Sequence, residues 1–230
     1  MPRYQGIVIA GFGGQGILSI GRILAQAGMS EGMNVSWLPS YGPEIRGGTA
    51  YCHVILSDGV IGSPLLNSAT ALIAMNRPSY EKYAGLVCEG GLVIVDSSLV
   101  NIGEAGEGEG AESAGASASA SSLGAVESAG ASASGSPAGA AGSGGASGAA
   151  SGAAAAGLAG RRLFCIPATK TALDNGNAAF ANIILAGKLL AETGAISTES
   201  FEQALRKVLS KRYQHLIPKE MEMLRLGMEA

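Results

Sequence analysis

Glycines 11, 13 and 16 in Gly11-Phe12-Gly13-Gly14-Gln15-Gly16 have the spacing G-x-G-x-x-G. Missing Cβ atoms at such positions let backbone or a phosphate approach closely, and a following helix N-terminus favours negative charge there. A tight turn that only packs helix on strand would use the same residues. A second set, Ser40-Tyr41-Gly42-Pro43-Glu44-Ile45-Arg46-Gly47-Gly48-Thr49, gathers a phenol, a carboxylate, a guanidinium and three glycines in one short stretch. Function concentrates on loops held by a rigid scaffold, which favours a binding loop. The plainer reading is a Glu44–Arg46 surface pair worth at most about 1 kcal/mol, with glycines supplying turns. In a third set, Ala168 to Asn177 leads towards Asn182. Thr, Asp and Asn before a helix are first of all capping residues.

These groups need elements to hold them. Gly6–Ala10 is a short β-branched run, and Ile17, Ile20, Leu24 and Ala27 recur at helical spacing up to Gly28, so the first glycines sit between a strand and a helix. Asn34–Leu38 reads as the second strand, followed by an irregular loop over Pro39–Gly48. Thr49–Ser57 alternates and, with no helix before it, suits an antiparallel strand. Ala71–Met75 and Leu92–Asp96 have the continuous apolar character of buried strands, with a short helix expected over Pro78–Glu89. Arg161–Pro167 reads as another strand and Ala178–Gly194 as a helix. Phe201, Leu205, Val208 and Leu209 form one helical stripe that Ser197 or Thr198 can cap, and Pro218 opens a last short helix. Arg206, Lys207, Lys211 and Arg212 decorate this region as a solvated face. The expected fold is α/β: three layers, α/β/α, with a mostly parallel sheet, a Rossmann-like first unit and one antiparallel strand. At the end of the second strand a nicotinamide-binding fold would place Asp or Glu to hold the ribose, whereas here stand Leu38-Pro39-Ser40-Tyr41, which argues against that cofactor.

Composition sets the limits. Between Glu104 and Gly160, 48 of 57 residues are Ala, Gly or Ser, and the block carries no aromatic or basic side chain, so it cannot build a core. Residues 1–230 are thus expected to form one domain interrupted by a low-complexity insertion at 104–160. The remaining 173 residues hold all 15 Lys and Arg and suffice for an independent core. No apolar run approaches the roughly 20 residues that cross a bilayer, and no leader is seen, so a cytoplasmic protein without a membrane partner is expected. Basic tracts with interleaved aromatics are missing, which excludes a nucleic-acid footprint. Cys52, Cys88 and Cys165 are scattered, with no cluster spacing, and read as buried small hydrophobes.

The glycine cluster through Ile17, the run from Ser40 to Ala50, Ser57-Asp58 with Ser63-Pro64, and Gly176-Asn177 with Asn182 together resemble one family. It is the gamma subunit of 2-oxoacid:ferredoxin oxidoreductases, and the unbroken Tyr-Gly-Pro-Glu-Ile-Arg-Gly-Gly loop looks most like its 2-oxoglutarate or ketoisovalerate type, with the pyruvate type alongside. The resemblance covers residues 5–103 and 161 to about 215; the insertion departs from it. It implies oxidative decarboxylation of a 2-oxoacid, 2-oxoglutarate foremost, to the acyl-coenzyme A with electrons passed to ferredoxin. Thiamine diphosphate, magnesium and iron–sulfur clusters are expected on alpha, beta and delta-type partner subunits, none on this chain, which would be inactive alone and meet ferredoxin only indirectly. Carried over by the resemblance as contacts of cofactor, coenzyme A or partner are Gly11, Gly13, Gly14, Gln15, Gly16, Ser40, Tyr41, Gly42, Pro43, Glu44, Arg46, Gly47, Gly48, Thr49, Asn177 and Asn182. No catalytic residue and no metal ligand is assigned. A free-standing nucleotide-binding oxidoreductase and a non-catalytic assembly module are the alternatives.

Overall fold

Six strands form one sheet in the order β2-β3-β1-β4-β5-β6. They are β1 (Tyr4–Phe12), β2 (Asn34–Tyr41), β3 (Thr49–Ser57), β4 (Ala69–Ala74), β5 (Val87–Asp96) and β6 (Arg162–Ile166). The structure, a computed structural model, describes residues 3–41, 48–102 and 160–230. All of them belong to the unit made of Met1–Gly103 and Ser151–Ala230. Gly42, Pro43, Glu44, Ile45, Arg46, Gly47 and the insertion up to residue 159 lie outside the described residues.

β3 pairs antiparallel with β1, from Tyr4↔Ser57 to Phe12↔Thr49, and with β2, from Asn34↔Ser57 to Tyr41↔Ala50. The β1–β4, β4–β5 and β5–β6 pairs are parallel. Five strands therefore run one way and β3 alone is reversed, as the lack of a helix before Thr49 suggested. The helices are α1 (Ile17–Ser30), α2 (Arg77–Tyr83), α3 (Ala168–Asp174), α4 (Ala181–Thr193), α5 (Thr198–Val208) and α6 (Ile217–Glu229). Ser197 caps α5, its side chain accepting from the Ser200 amide, and Pro218 lies in the first turn of α6.

One face of the sheet, with Ile7, Ile9, Val54, Ile73 and Ile94, packs with Ile20 and Leu24 of α1, Ala168 and Ala172 of α3, Leu185 of α4, Phe201 of α5 and Leu224 of α6. The opposite face, with Val8, Ala10, Leu72 and Val93, meets Tyr80 of α2, Leu66 and Val100. α4 and α6 touch backbone to backbone: a Cβ at Gly187 would strike the Leu224 carbonyl oxygen, and one at Gly227 the Ile184 carbonyl oxygen. Neither position has room for a larger residue unless the helices separate.

Several boundaries move from their sequence-based places. β2 runs on through Pro39, Ser40 and Tyr41, which were expected in a loop; at a sheet edge a missing N–H costs no ladder bond. α2 ends at Tyr83, well before Glu89, and β5 already starts at Val87, its register with β4 shifting between Ala69 and Ala71 and Gly90 at φ +74. Ala168–Asp174, expected as a capping stretch, is itself a helix whose N-terminus is held by Asp96. Only Cys52 is buried; Cys88 is half-buried and Cys165 exposed, because a strand places alternate residues on opposite faces and β6 is an edge.

Candidate functional site

The chain leaves β1 for α1 along one face of the sheet and leaves β4 for α2 along the other, so strand order reverses between β1 and β4. Ligands of open α/β sheets bind at the carboxyl ends of strands at such a switch point. The walls of this crevice are the glycine turn, residues 11–16, after β1 and Met75-Asn76 after β4.

Main-chain bonds tie the turn at three points. The Met75 amide donates to the Ala10 carbonyl (2.9 Å), the Gln15 amide to the Phe12 carbonyl (3.2 Å), and the Gly13 amide to the Gly48 carbonyl (2.9 Å). The last bond matters most for assembly of the site. Because β3 is reversed, Phe12 pairs with Thr49 and Ala50 lies between Gly11 and Tyr41. Both ends of the loop expected to bind, Ser40-Tyr41 and Gly48-Thr49, thereby arrive beside the glycine turn. Tyr41 is 64% exposed.

Side chains lock the turn from behind. Gln15 Oε1 accepts from the Phe12 amide (2.6 Å) while its Nε2 donates to the Met75 carbonyl (3.1 Å), bridging the crevice. Asn182, in the first turn of α4 and 7% exposed, donates through Nδ2 to the Gln15 (3.3 Å) and Gly16 (3.2 Å) carbonyls. Its Oδ1 is buried with no partner among the described residues. On the other wall Asn76 caps α2, its Oδ1 accepting from Ser79 N (2.8 Å), and its Nδ2 is also buried without a partner there.

The glycines divide accordingly. A Cβ at Gly11 would meet Gln15 Oε1 and, at 2.8 Å, Ile17 Cδ1; a Cβ at Gly16 would strike Asn182 Nδ2, and Gly16 also has φ +74. Gly14, at φ +101, has nothing within 4 Å of its Cβ position. α1 starts at Gly16 without a side-chain cap and without an acid in its first turn. The Ile20 amide closes onto the Gly16 carbonyl (3.0 Å), while the amides of Gly14, Gly16, Ile17, Leu18 and Ser19 have no main-chain acceptor among the described residues, and such groups attract an anion.

The third set of residues separates. Asn177 is exposed and caps the 3₁₀ turn Ala178–Phe180, its Oδ1 accepting from the Ala179 amide (2.9 Å), whereas Asn182 reaches the glycine turn. Asp96, fully buried at the end of β5, accepts from the Thr169 hydroxyl (2.5 Å) and from the Thr169 and Ser98 amides (3.2 and 3.1 Å), fixing α3 on the sheet. Sequence reasoning missed the Met75 carbonyl and Asn76. The signal available was the end of the β4 run, which is the strand parallel to β1.

A second cluster lies on the face that meets α2. Tyr51 stands 5.3 Å from Tyr83 and 5.6 Å from His53, ring to ring, and Lys82 Nζ lies over both tyrosines, 5.6 and 5.1 Å from their centroids. Burial pushes the Tyr83 hydroxyl up to about 12, Tyr51 adding to it. Burial lowers the pKa of His53, whose Nδ1 accepts from the Leu66 amide (3.2 Å). Among the described residues no group of three or more His, Cys, Asp and Glu could hold a metal ion, and no helix is long and apolar enough to cross a membrane.

Residues 6–230 match the family described as pyruvate ferredoxin/flavodoxin oxidoreductase. Over 95 residues, 41% of this chain and 20% of the relative, the sequence is 50% identical to ketoisovalerate oxidoreductase subunit VorA of Methanothermobacter marburgensis. It is 46% identical over 101 residues, 44% of this chain and 54% of the relative, to 2-oxoglutarate synthase subunit KorC of Archaeoglobus fulgidus. The matched part thus spans a fifth of the first relative and about half of the second. Among solved structures, the gamma subunit of a keto/oxoacid ferredoxin oxidoreductase from Geobacter sulfurreducens superposes with a TM-score of 0.62 at 25% identity, over 98% of this chain and 96% of that one.

Proposed function

Since this chain belongs to the pyruvate ferredoxin/flavodoxin oxidoreductase family, we propose that it works as the gamma subunit of a 2-oxoacid:ferredoxin oxidoreductase. Within that complex the glycine turn and the Ser40–Thr49 loop contact coenzyme A where partner subunits present the acyl group. The observation carrying this reading is the convergence of the turn and both loop ends near the switch point, set by the antiparallel pairing of β3 with β1 and β2 and tied by the Gly13–Gly48 bond.

The described residues suit a phosphate-bearing co-substrate. Amides of Gly14, Gly16 and the start of α1 would hold a phosphate, with exposed Phe12 and Tyr41 at the carboxyl ends of β1 and β2. They do not suit an iron–sulfur cluster, since Cys52 faces the core from β3 while Cys88 and Cys165 lie on β5 and β6 in no common group. Thiamine chemistry and electron transfer therefore belong, in this reading, to alpha, beta and delta-type partners. The substrate is 2-oxoglutarate; the match to the ketoisovalerate subunit favours a branched 2-oxoacid as the second reading.

Anaerobic co-purification followed by assay of 2-oxoacid- and coenzyme-A-dependent ferredoxin reduction tests the proposal. The complex should turn over and the isolated chain should not. Turnover by the chain alone, or a complex indifferent to its removal, would overturn it; a panel of 2-oxoacids ranks the substrates.

A further inference from the structure

Resting on the reading that the glycine turn meets coenzyme A, we infer that Gln15 and Asn182 are positioning residues for that turn and contact no ligand themselves. The Gln15 carboxamide is spent at both ends and Asn182 at its Nδ2, the Asn182 Oδ1 being buried away from the crevice surface. Gln15 clamps the turn across the crevice, from the Phe12 amide on β1 to the Met75 carbonyl beyond β4. Asn182 holds the Gln15 and Gly16 carbonyls from beneath, at the residue where α1 begins.

Sterics say the same. The Cβ spaces of Gly11 and Gly16 are occupied by Gln15 Oε1 and Asn182 Nδ2, so these two glycines make room for the clamps. Gly14, unlike Gly11 and Gly16, has an open Cβ position, and it marks the side from which a ligand arrives. Carbonyls held on the clamp side oblige the amides of the same peptide planes to point the other way, since N–H and C=O of a trans peptide are opposed. Asn182 grips the carbonyls of Gln15 and Gly16, whose peptide partners are the amides of Gly16 and Ile17. These are two of the amides a phosphate would use. The clamps thus fix the direction of the binding amides before the ligand comes, and preorganisation of this kind is worth affinity.

The test uses the assembled complex with Asn182→Asp and Gln15→Met, and Asn182→Gln as the conservative variant. Aspartate places an acceptor against two carbonyls; methionine keeps the bulk and loses both hydrogen bonds. Each should raise the KM for coenzyme A by about tenfold while kcat at saturating coenzyme A changes less than about twofold, the mark of lost binding that is uniform between ground and transition states. Asn182→Gln, which keeps the donor, should recover part of the loss. Unchanged KM in variants whose denaturant midpoint has dropped would overturn the inference and make the clamps structural only. Amide exchange of the wild-type complex separates this from failure of the underlying reading. Coenzyme A should slow exchange over residues 12–20, and protection there with unchanged KM in the variants sinks the clamps alone. Absence of protection sinks both.

Discussion

Among the described residues the two faces of the sheet are covered to different depths. Behind the first lie α1 and α3–α6, with Phe201 and Leu224 fully buried and a backbone-to-backbone contact of α4 with α6. Over the second lie α2 and the segments around Leu66 and Val100, leaving Tyr51, Ile61, Tyr83, Leu86 and Leu163 half-buried. The lesson is that stability and surface are divided between faces. A dry face fixes the positions of the strands, and an incompletely covered one offers apolar area for further burial.

Truncations give the largest expected contrast. Phe201→Ala on the covered face should cost about 3–5 kcal/mol through lost transfer energy and a cavity. Tyr83→Ala on the open face should cost roughly 1 kcal/mol, since its ring is half-buried and the site can collapse. Urea midpoints of the isolated chain measure both, and equal losses would abolish the distinction.

Acid and base should act on the faces with opposite sign. Burial pushes the Glu220 carboxyl on α6 up to about 7 from 4.5, so the folded chain keeps a proton that the unfolded chain releases. Its stability is complete below pH 4.5 and declines as pH rises through 7, by about 3 kcal/mol in all. On the open face, burial depresses the His53 pKa below 6.5, and stability is complete above pH 6.5 and declines as pH falls through the folded value. Glu220→Gln should thus raise the midpoint at pH 8 without changing it at pH 4.5, and His53→Gln should flatten the acid side. A Glu220→Gln variant with the wild-type pH profile would show that the carboxyl ionises freely in the fold.

Thiol labelling sharpens the contrast without mutation. Cys52 on the covered face, its thiol pushed up to about 12 by burial, should react only on unfolding, while Cys165, exposed on β6, should be modified in the native chain. Mass mapping of the labelled peptides decides it. The smallest effect is expected from Lys82→Ala, which removes an exposed cation from the Tyr51 and Tyr83 rings and should change stability by less than about 1 kcal/mol. A larger loss would mean that this cluster is a second core.

What was legible in the sequence follows from how local each signal is. Thr49–Ser57 stands in the structure with the limits its alternation set, because β-branched and aromatic residues at period two stop sharply at Asp58-Gly59. Helix α3 was not legible: Ala168 and Ala172 are its only buried residues, too few to make a periodic stripe. Extension of β2 through Pro39 depended on its edge position, and edge or centre is a property of topology. At the candidate site the glycine spacing was visible, yet Gln15 and Asn182 are 167 residues apart, and only the packing of α4 against the turn reveals what they share.

The reversed strand also orders events in time. β2 and β3 meet across a short span, Tyr41 opposite Ala50, whereas β3 reaches β1 only by closing a longer loop, from Phe12 opposite Thr49 to Tyr4 opposite Ser57. Local pairing closes its loop at lower entropic cost and forms sooner. Pulse-labelled exchange during refolding should therefore find β2–β3 amides protected before those that join β3 to β1. The Gly13–Gly48 bond belongs to the later ladder, so the glycine turn acquires its neighbours near the end of folding, and a chain halted at the hairpin stage would carry the loop without the site.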